Sequence, residues 1–325
     1  MRVLVTITTR TASERFRPME RRTPGNGGML PHGADAEVGR EVRYSQREMS
    51  TLHNVDPIPA VDTARTSELA VRLENSFASV GSVVVALSGG VDSALVAVVA
   101  ARTLGSRSLA VTGVSPSYPD FQRGMVDAVV ERFGLAHIWV DTREIENARY
   151  VENAQNRCYF CKDELYSRLS ALALARGFNS VVDGTNADDI SDHRPGRVAA
   201  SEHGVRSPLI ECGFGKRDVR ALARVLDVPV WDAPASACLA SRIPHGTPVT
   251  IARLDRVERS EAALRRLGFR QVRVRHHEDV ARIELATDEM SKAEDPDTLR
   301  CMTEAVLATG FARVVIDPNG YRSRE

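Results

Sequence analysis

The 325-residue sequence lacks the features of a membrane protein, an exported protein or a general nucleic-acid binder. It has no apolar run of the roughly 18 residues that a membrane-spanning helix needs, and its start lacks the apolar core of a secretory signal. The formal net charge is zero, whereas general nucleic-acid binders usually carry a basic excess. We therefore expect no membrane contact and no general nucleic-acid binding; a local basic groove is the alternative.

Cysteine and lysine are also scarce. The five cysteines are an odd number in a long chain, which argues against a disulfide framework and favours free thiols in the reducing cytoplasm. Such thiols are available for metal binding or catalysis. Only three lysines occur; Lys162 adjoins a cysteine pair, and Lys216 begins a predicted helix.

Length and composition predict a disordered extension followed by two domains. Residues 1–60 are rich in glycine, proline and arginine and show little periodicity, which is typical of disorder. A first domain is expected over 66–247, and a small α+β domain over 248–325.

The first domain alternates short apolar runs with amphipathic segments. This pattern predicts βαβ units, hence an α/β fold with a parallel, doubly wound sheet. The predicted strands cover 83–87, 108–114, 136–141 and 180–185. Helices are expected over 93–105, 120–134, 162–176 and 216–227. The second domain is expected to hold helices at 250–267 and 295–309 and strands that include an antiparallel pair.

The first predicted strand runs into SGGVDS at 88–93. Glycines let backbone N–H groups approach an anion, and the next helix N-terminus adds partial positive charge, so this stretch predicts a phosphate site. Its binding residues are Ser88, Gly89, Gly90, Asp92 and Ser93. No lysine follows the glycines as in a Walker A loop, and a carboxylate there suits a bridging Mg²⁺. The alternative is a glycine-rich turn with a capping aspartate.

SGGVDS resembles the PP-loop of the ATP pyrophosphatase superfamily, which implies ATP, Mg²⁺ and an adenylated intermediate. Further stretches narrow the resemblance: RCYFCKDELY (157–166), DGTNADDISDHRPG (183–196), RSPLIECGFGKRDVRALAR (206–224), WDAPASACLASRIPHGT (231–247), VRVRHHEDVARIEL (272–285) and GYR (320–322). Together they resemble LarE, the family of ATP-dependent sulfur transferases of nickel-pincer cofactor synthesis, over residues 66–322.

The resemblance implies an NAD synthetase-like fold with an added C-terminal domain. It also implies adenylation of a carboxylate of pyridinium-3,5-biscarboxylic acid mononucleotide, followed by conversion to a thiocarboxylate. This small-molecule nucleotide and sulfide or another sulfur donor would be the partners, and a homo-oligomer, as large as a hexamer, is expected.

Polar residues follow the fourth predicted strand, at the same sheet edge as SGGVDS. The residues expected to contact ATP, pyrophosphate or Mg²⁺ are Gly184, Thr185, Asn186, Asp188 and Asp189. Arg194 and Lys216 are cations expected to bind phosphate. The alternatives are an Asx-rich turn that caps the next helix, and solvated surface charges.

Cys158 and Cys161 have the spacing of a metal or redox pair, and Cys238 lies in the loop that LarE proteins use for sulfur delivery. Three thiolates can hold three irons of a [4Fe–4S] cluster and leave the fourth for sulfide. This arrangement resembles a cluster-dependent LarE branch, in which all three cysteines, with Asp92 and Arg242, would be catalytic. The alternatives are Cys238 as a sacrificial donor that becomes dehydroalanine, a zinc site, or packing.

Alternating charges mark the predicted second domain. Arg273 and Arg275 share one face of a strand, and guanidinium groups there suit a substrate's phosphate and carboxylates. Glu261 and Glu284 are expected to orient substrate or a metal. The alternative is a charged cross-strand ladder on an exposed face.

Three other functions use similar residues. A tRNA thiolase also adenylates and can also use three cysteines, but the neutral charge and the lack of an RNA module argue against it. An amide-forming ligase like NAD synthetase would leave the three cysteines idle. A non-enzymatic nucleotide sensor would not turn ATP into AMP and pyrophosphate.

Overall fold

A computed structural model describes residues 7–8, 62–190 and 195–321 of the chain. The extension predicted over 1–60 therefore lies outside the described residues, except for the two-residue strand β1, Ile7–Thr8. The described residues fall within one compact unit. None of the helices in these three ranges is long and apolar enough to cross a membrane.

The prediction of a parallel sheet in the first half of the chain's predicted fold is confirmed. Four strands lie in the order β4-β3-β2-β5 and all pair in parallel. Their bounds are β2 Val83–Ala86, β3 Ser108–Val114, β4 His137–Asp141 and β5 Ser180–Val182. All four carboxyl ends therefore meet at one edge, where ligands of such sheets bind.

Helices cover both faces of this sheet, which makes it doubly wound. The helices are α1 Thr63–Val80, α2 Val91–Leu104, α3 Phe121–Phe133, α4 Ala148–Val151, α5 Arg157–Arg176, α6 Pro195–Glu202, α7 Pro208–Glu211 and α8 Lys216–Val225. Val83 and Val85 pack with α1, α2, α3 and α8, whereas Val84 packs with α5 and α6. Alternate side chains of a strand point to opposite faces, so one short valine run supports two cores.

The C-terminal part is a second sheet with two helices. Strands β6 Val272–His277 and β7 Val280–Leu285 form the predicted antiparallel pair. β7 also pairs in parallel with β8 Arg313–Ile316, which pairs antiparallel with β1. Helices α9 Ile251–Arg266 and α10 Pro296–Leu307 pack on this sheet around Val274, Ile283 and Met302. The fold class is confirmed, whereas the boundary near 248 stays a prediction.

One helix starts earlier than its pattern predicts. α5 begins at Arg157, not 162, so the CxxC pair lies in the helix and not in the loop before it. Neither proline nor glycine interrupts 157–162, and the Arg157 side chain is buried by tertiary contacts that a helical period does not show.

Candidate active site

The SGGVDS stretch forms a tight loop between β2 and α2. Gly89 has φ +89°, and a Cβ there would lie 3.0 Å from the carbonyl oxygen of Gln122, so glycine is required by conformation and by space. The Ser93 hydroxyl accepts from the Ser88 N–H at 3.1 Å and donates to the Gly90 carbonyl at 3.0 Å. The loop is thereby closed by its own serine, and the first-turn N–H groups of α2 lie at the carboxyl edge of the sheet.

Asp92, in the first turn of α2, faces a cation and an amide. Its carboxylate forms an ion pair with the Lys216 ammonium and accepts from the Asn186 side-chain amide at 3.2 Å. Lys216 begins α8, so three separate segments meet at one carboxylate. The carboxylate oxygens of Asp92 are the hard donors that Mg²⁺ prefers. One or two protein carboxylates with the phosphates of ATP are enough for this ion, so the residues present fit it.

The turn after β5 packs directly on this loop. Asp188 accepts from the Lys216 backbone N–H at 2.7 Å, and Asp189 accepts from the Asn186 N–H at 3.2 Å. A Cβ on Gly184 would lie 2.5 Å from the Ser93 nitrogen, so the two segments touch backbone to backbone. Except for Arg194, which lies outside the described residues, the predicted phosphate-site residues are brought together.

Sequence reasoning missed the residue that holds this turn. Asp183 is buried and accepts hydrogen bonds from the Tyr166 hydroxyl at 2.9 Å, the Thr185 hydroxyl at 2.7 Å and the Ser207 hydroxyl at 2.8 Å. Thr185 therefore points its hydroxyl into the protein. The only signal in the sequence was an aspartate at a strand end, since its partners come from α5 and from the residue before α7.

The cysteine pair and the Cys238 loop are joined by a buried arginine. Arg157 donates to the Asn153 side-chain oxygen at 2.6 Å and to the Ala240 carbonyl at 2.8 Å. Cys161 and Cys238 both pack against one apolar cluster, whose members include Tyr150, Phe160, Leu239, Ile243 and Leu254. Cys158 is exposed, and Cys161 and Cys238 are half-buried.

Charges around the cysteines act in opposite directions. Burial, and then the negative charge of Glu144, raise the pKa of the Cys161 thiol. Burial acts to lower the pKa of the Arg157 guanidinium, but the nearby Cys238 and then Cys158 raise that pKa above its ordinary value. Glu144 is itself buried, accepts from the Ser115 hydroxyl at 2.5 Å, and has no hydrogen-bond partner at Oε2 among the described residues.

No group of three or more His, Cys, Asp or Glu side chains within 7–8, 62–190 and 195–321 is arranged to hold a single metal ion. A four-iron cluster spaces its thiolate ligands more widely than one ion does, because each thiolate binds a different iron. The soft donor set suits such a cluster, and the structure contributes the shared apolar surroundings of Cys161 and Cys238.

The loop that carries Cys238 leads into a buried ion pair. Arg242 donates to the Glu261 carboxylate at 2.8 Å and to the Ala237 carbonyl at 2.7 Å, and the side chains of the pair are 2% and 0% exposed. Glu261 also accepts from Arg265 at 3.0 Å and from the Val274 N–H at 3.0 Å. Both residues thus fix the loop; direct contact of either with substrate stays a prediction.

Arg273 and Arg275 lie on the same face of β6, as predicted, but differ in their partners. Arg275 pairs with Glu284 at 2.9 Å and donates to the Ser241 carbonyl at 2.9 Å. Arg273 lies over the Tyr321 ring at 4.1 Å and forms no ion pair within 4.0 Å in the described part of the chain. Burial, and then the charge of Arg242, lower the pKa of Arg273 to about 10. An anion beside Arg273 would supply the counter-charge.

This fold and loop define a class: an ATP-using enzyme with a PP-loop. The family model described as NAD synthase matches residues 65–244. The chain is 44% identical to an uncharacterized protein of Synechocystis over 78% of this chain and 96% of that protein. It is 27% identical to an uncharacterized protein of Methanocaldococcus jannaschii over 74% of this chain and 91% of that protein.

A third relative defines the family more narrowly. The chain is 37% identical to the pyridinium-3,5-bisthiocarboxylic acid mononucleotide synthase of Lactiplantibacillus plantarum, over 74% of this chain and 87% of that enzyme. The chain therefore belongs to the LarE family of PP-loop, ATP-dependent sulfur transferases.

Proposed function

We propose that the protein adenylates a carboxylate of pyridinium-3,5-biscarboxylic acid mononucleotide and converts it to a thiocarboxylate for nickel-pincer cofactor synthesis. One observation carries this proposal: the Cys238 loop is fastened on one side to the sheet edge that holds SGGVDS and on the other to the arginines of β6. Sulfur, ATP and an anionic substrate would thus meet at one place.

The residues divide the reaction into two steps. A substrate carboxylate oxygen attacks the α-phosphorus of ATP, the bond to the β-phosphate oxygen breaks, and pyrophosphate leaves. The loop N–H groups and Lys216 hold the phosphates, while Asp92 would hold the Mg²⁺ that offsets their charge. Sulfide sulfur then attacks the carboxyl carbon and AMP leaves. Arg273 and Arg275 would bind the substrate anions.

We assign sulfur handling to Cys158, Cys161 and Cys238 as ligands of a [4Fe–4S] cluster. The cluster would supply an open iron at which exogenous sulfide binds. The buried guanidinium of Arg157 adjoins Cys158 and bonds the Cys238 loop at Ala240, so it would offset the negative charge that thiolate ligands bring. A reducing compartment such as the cytoplasm would keep these thiols free.

Anaerobic incubation with ATP, sulfide and the mononucleotide, read by mass spectrometry, tests this function. We expect exchange of one oxygen for sulfur with formation of AMP and pyrophosphate. Thiolated tRNA instead of thiolated mononucleotide would contradict the substrate assignment. More than one thiocarboxylate per chain indicates catalytic sulfur transfer; at most one, with conversion of Cys238 to dehydroalanine, indicates a sacrificial donor.

Iron reconstitution tests the cluster separately. We expect about four irons per chain, lost in Cys158→Ala and retained in the control Cys301→Ala, whose thiol is exposed on α10. Iron binding that Cys158→Ala leaves unchanged would refute the cluster. Light scattering on the same samples measures the proposed homo-oligomer, expected to be as large as a hexamer.

A further inference from the structure

A short turn between β3 and α3 touches both the ATP loop and the Cys238 loop. This linking turn, residues 115–118 with the sequence SPSY, is closed by a hydrogen bond from the Tyr118 N–H to the Ser115 carbonyl at 3.0 Å. Proline at its second position fixes φ, as β-turns favour. The turn is therefore a stiff connection between whatever its two ends contact.

One end contacts the ATP loop. The Tyr118 hydroxyl donates to the carbonyl of Ser88, the first residue of SGGVDS, at 3.2 Å. Trp139 meets the Tyr118 ring edge-on at 6.5 Å, and the Arg123 guanidinium lies 6.0 Å from it, so the ring is held on two sides. Burial raises the pKa of Tyr118, which keeps its hydroxyl protonated and able to donate.

The other end contacts the Cys238 loop. The Ser117 carbonyl accepts from the N–H of Leu239, the residue after Cys238, at 2.9 Å. The buried Ser117 hydroxyl shares a 2.5 Å hydrogen bond with Tyr150, whose ring belongs to the apolar cluster that packs against Cys161 and Cys238. Adjacent residues of one turn thus hold the ATP loop and the cysteine loop.

We propose that the linking turn couples occupation of the ATP loop to the position of Cys238, with Tyr118 and Ser117 as positioning residues. Phosphates bound at SGGVDS fix the Ser88 carbonyl; Tyr118 passes that constraint to the turn, and the Ser117 carbonyl passes it to Leu239. The Cys238 loop then places Cys238 in its reactive position when ATP is present. The inference rests on the proposed function only in taking Cys238 as the sulfur-handling residue.

Alkylation of Cys238 in protein prepared without iron tests the coupling. Its rate with iodoacetamide is measured by peptide mass spectrometry, with and without Mg²⁺ and saturating α,β-methylene-ATP. We expect the analogue to change the alkylation rate about fivefold or more in wild type, a common size for coupling between sites. Tyr118→Phe removes only the donor hydroxyl and should reduce the effect below about twofold.

Tyr159→Phe is the matched control, because its hydroxyl bonds Glu202 at 2.5 Å instead of the ATP loop; it should keep the wild-type response. Simple shielding of Cys238 by the analogue would give equal protection in Tyr118→Phe and would overturn the proposal, as would the absence of any effect in wild type. Should Tyr118→Phe fail to bind the analogue, hydrogen exchange of the Leu239 N–H in wild type decides: an exchange rate that the analogue leaves unchanged also overturns the proposal.

The assay involves no turnover, so the two ideas fail independently. Coupled alkylation without thiocarboxylate formation refutes the proposed function alone. Thiocarboxylate formation with an unaltered response in Tyr118→Phe refutes the coupling alone.

Discussion

Glu144 shows how one buried carboxylate can set the reactivity of a neighbouring thiol. Its charge, after burial, is the next largest influence that raises the pKa of Cys161. Glu144→Gln should therefore lower that pKa, so that in metal-free protein the alkylation rate of Cys161 rises at lower pH than in wild type. Glu146→Gln, two residues along the same turn and exposed, should leave the pH profile unchanged. Identical profiles for Glu144→Gln and wild type would contradict this account.

The carboxyl group of Glu258 should make the free energy of unfolding depend on pH. Burial, and then Glu261, raise its pKa to about 7, with Asp120 adding to the effect and Arg265 opposing it. Because the folded-state pKa lies above the ordinary 4.5, the stability that this carboxyl contributes is complete at low pH and is lost as pH rises through 7.

Glu258→Gln should thus match wild type near pH 5 and be more stable by about 2 kcal/mol near pH 8. Urea unfolding at both pH values measures this. The control is Glu74→Gln, an exposed residue of α1, which should change stability equally at both. A Glu258→Gln difference that is the same at pH 5 and pH 8 would refute the assignment.

At the scale of elements, the contact of α2 with the turn after β5 depends on Gly184. A Cβ there would meet backbone atoms of Ser93 at 2.5 Å and of Asp92 at 2.8 Å, and backbone cannot yield as a side-chain tip can. Gly184→Ala should cost about 1–3 kcal/mol and weaken ATP binding. Gly124→Ala, at an exposed position of α3 with nothing within 4 Å, should stabilise that helix by about 0.5–1 kcal/mol. Calorimetric ATP binding equal to wild type in Gly184→Ala would contradict the packing argument.

The elements also show what the sequence could predict. The parallel strands and SGGVDS were predictable, because a valine run followed by a glycine turn is a local pattern. Asp183, Glu144 and Arg157 were not, because each depends on at least one partner far along the chain. The early start of α5 belongs to the same group, since Arg157 is anchored by Ala240, 83 residues away.

At the scale of the whole molecule, the two sheets are connected through the Cys238 loop. Glu261 of α9 accepts from Arg242 of that loop and from the N–H of Val274 in β6. Arg275 of β6 donates to the Ser241 carbonyl, and the Arg265 guanidinium lies 4.0 Å from the Phe121 ring centre at the start of α3. The Cys238 loop is thus part of the contact between the sheets. A change that disturbs the geometry of this loop should therefore also weaken the coupling of the two sheets.

Glu261→Gln tests this connection. It leaves Arg242, 2% exposed, without its buried counter-charge, at a cost of about 3–5 kcal/mol. Both tryptophans, Trp139 and Trp231, lie in the part that holds the parallel sheet, so unfolding followed by tryptophan fluorescence reports that sheet. Unfolding followed by far-ultraviolet circular dichroism reports both sheets. In wild type the two urea transitions should coincide, as they do for a cooperative unit. In Glu261→Gln the dichroism should fall first, because the C-terminal sheet loses its anchor.

Glu304→Gln, which breaks only the exposed 3.7 Å pair with Arg300, should keep the transitions together. Coincident transitions in Glu261→Gln would show that the sheets are coupled by other contacts.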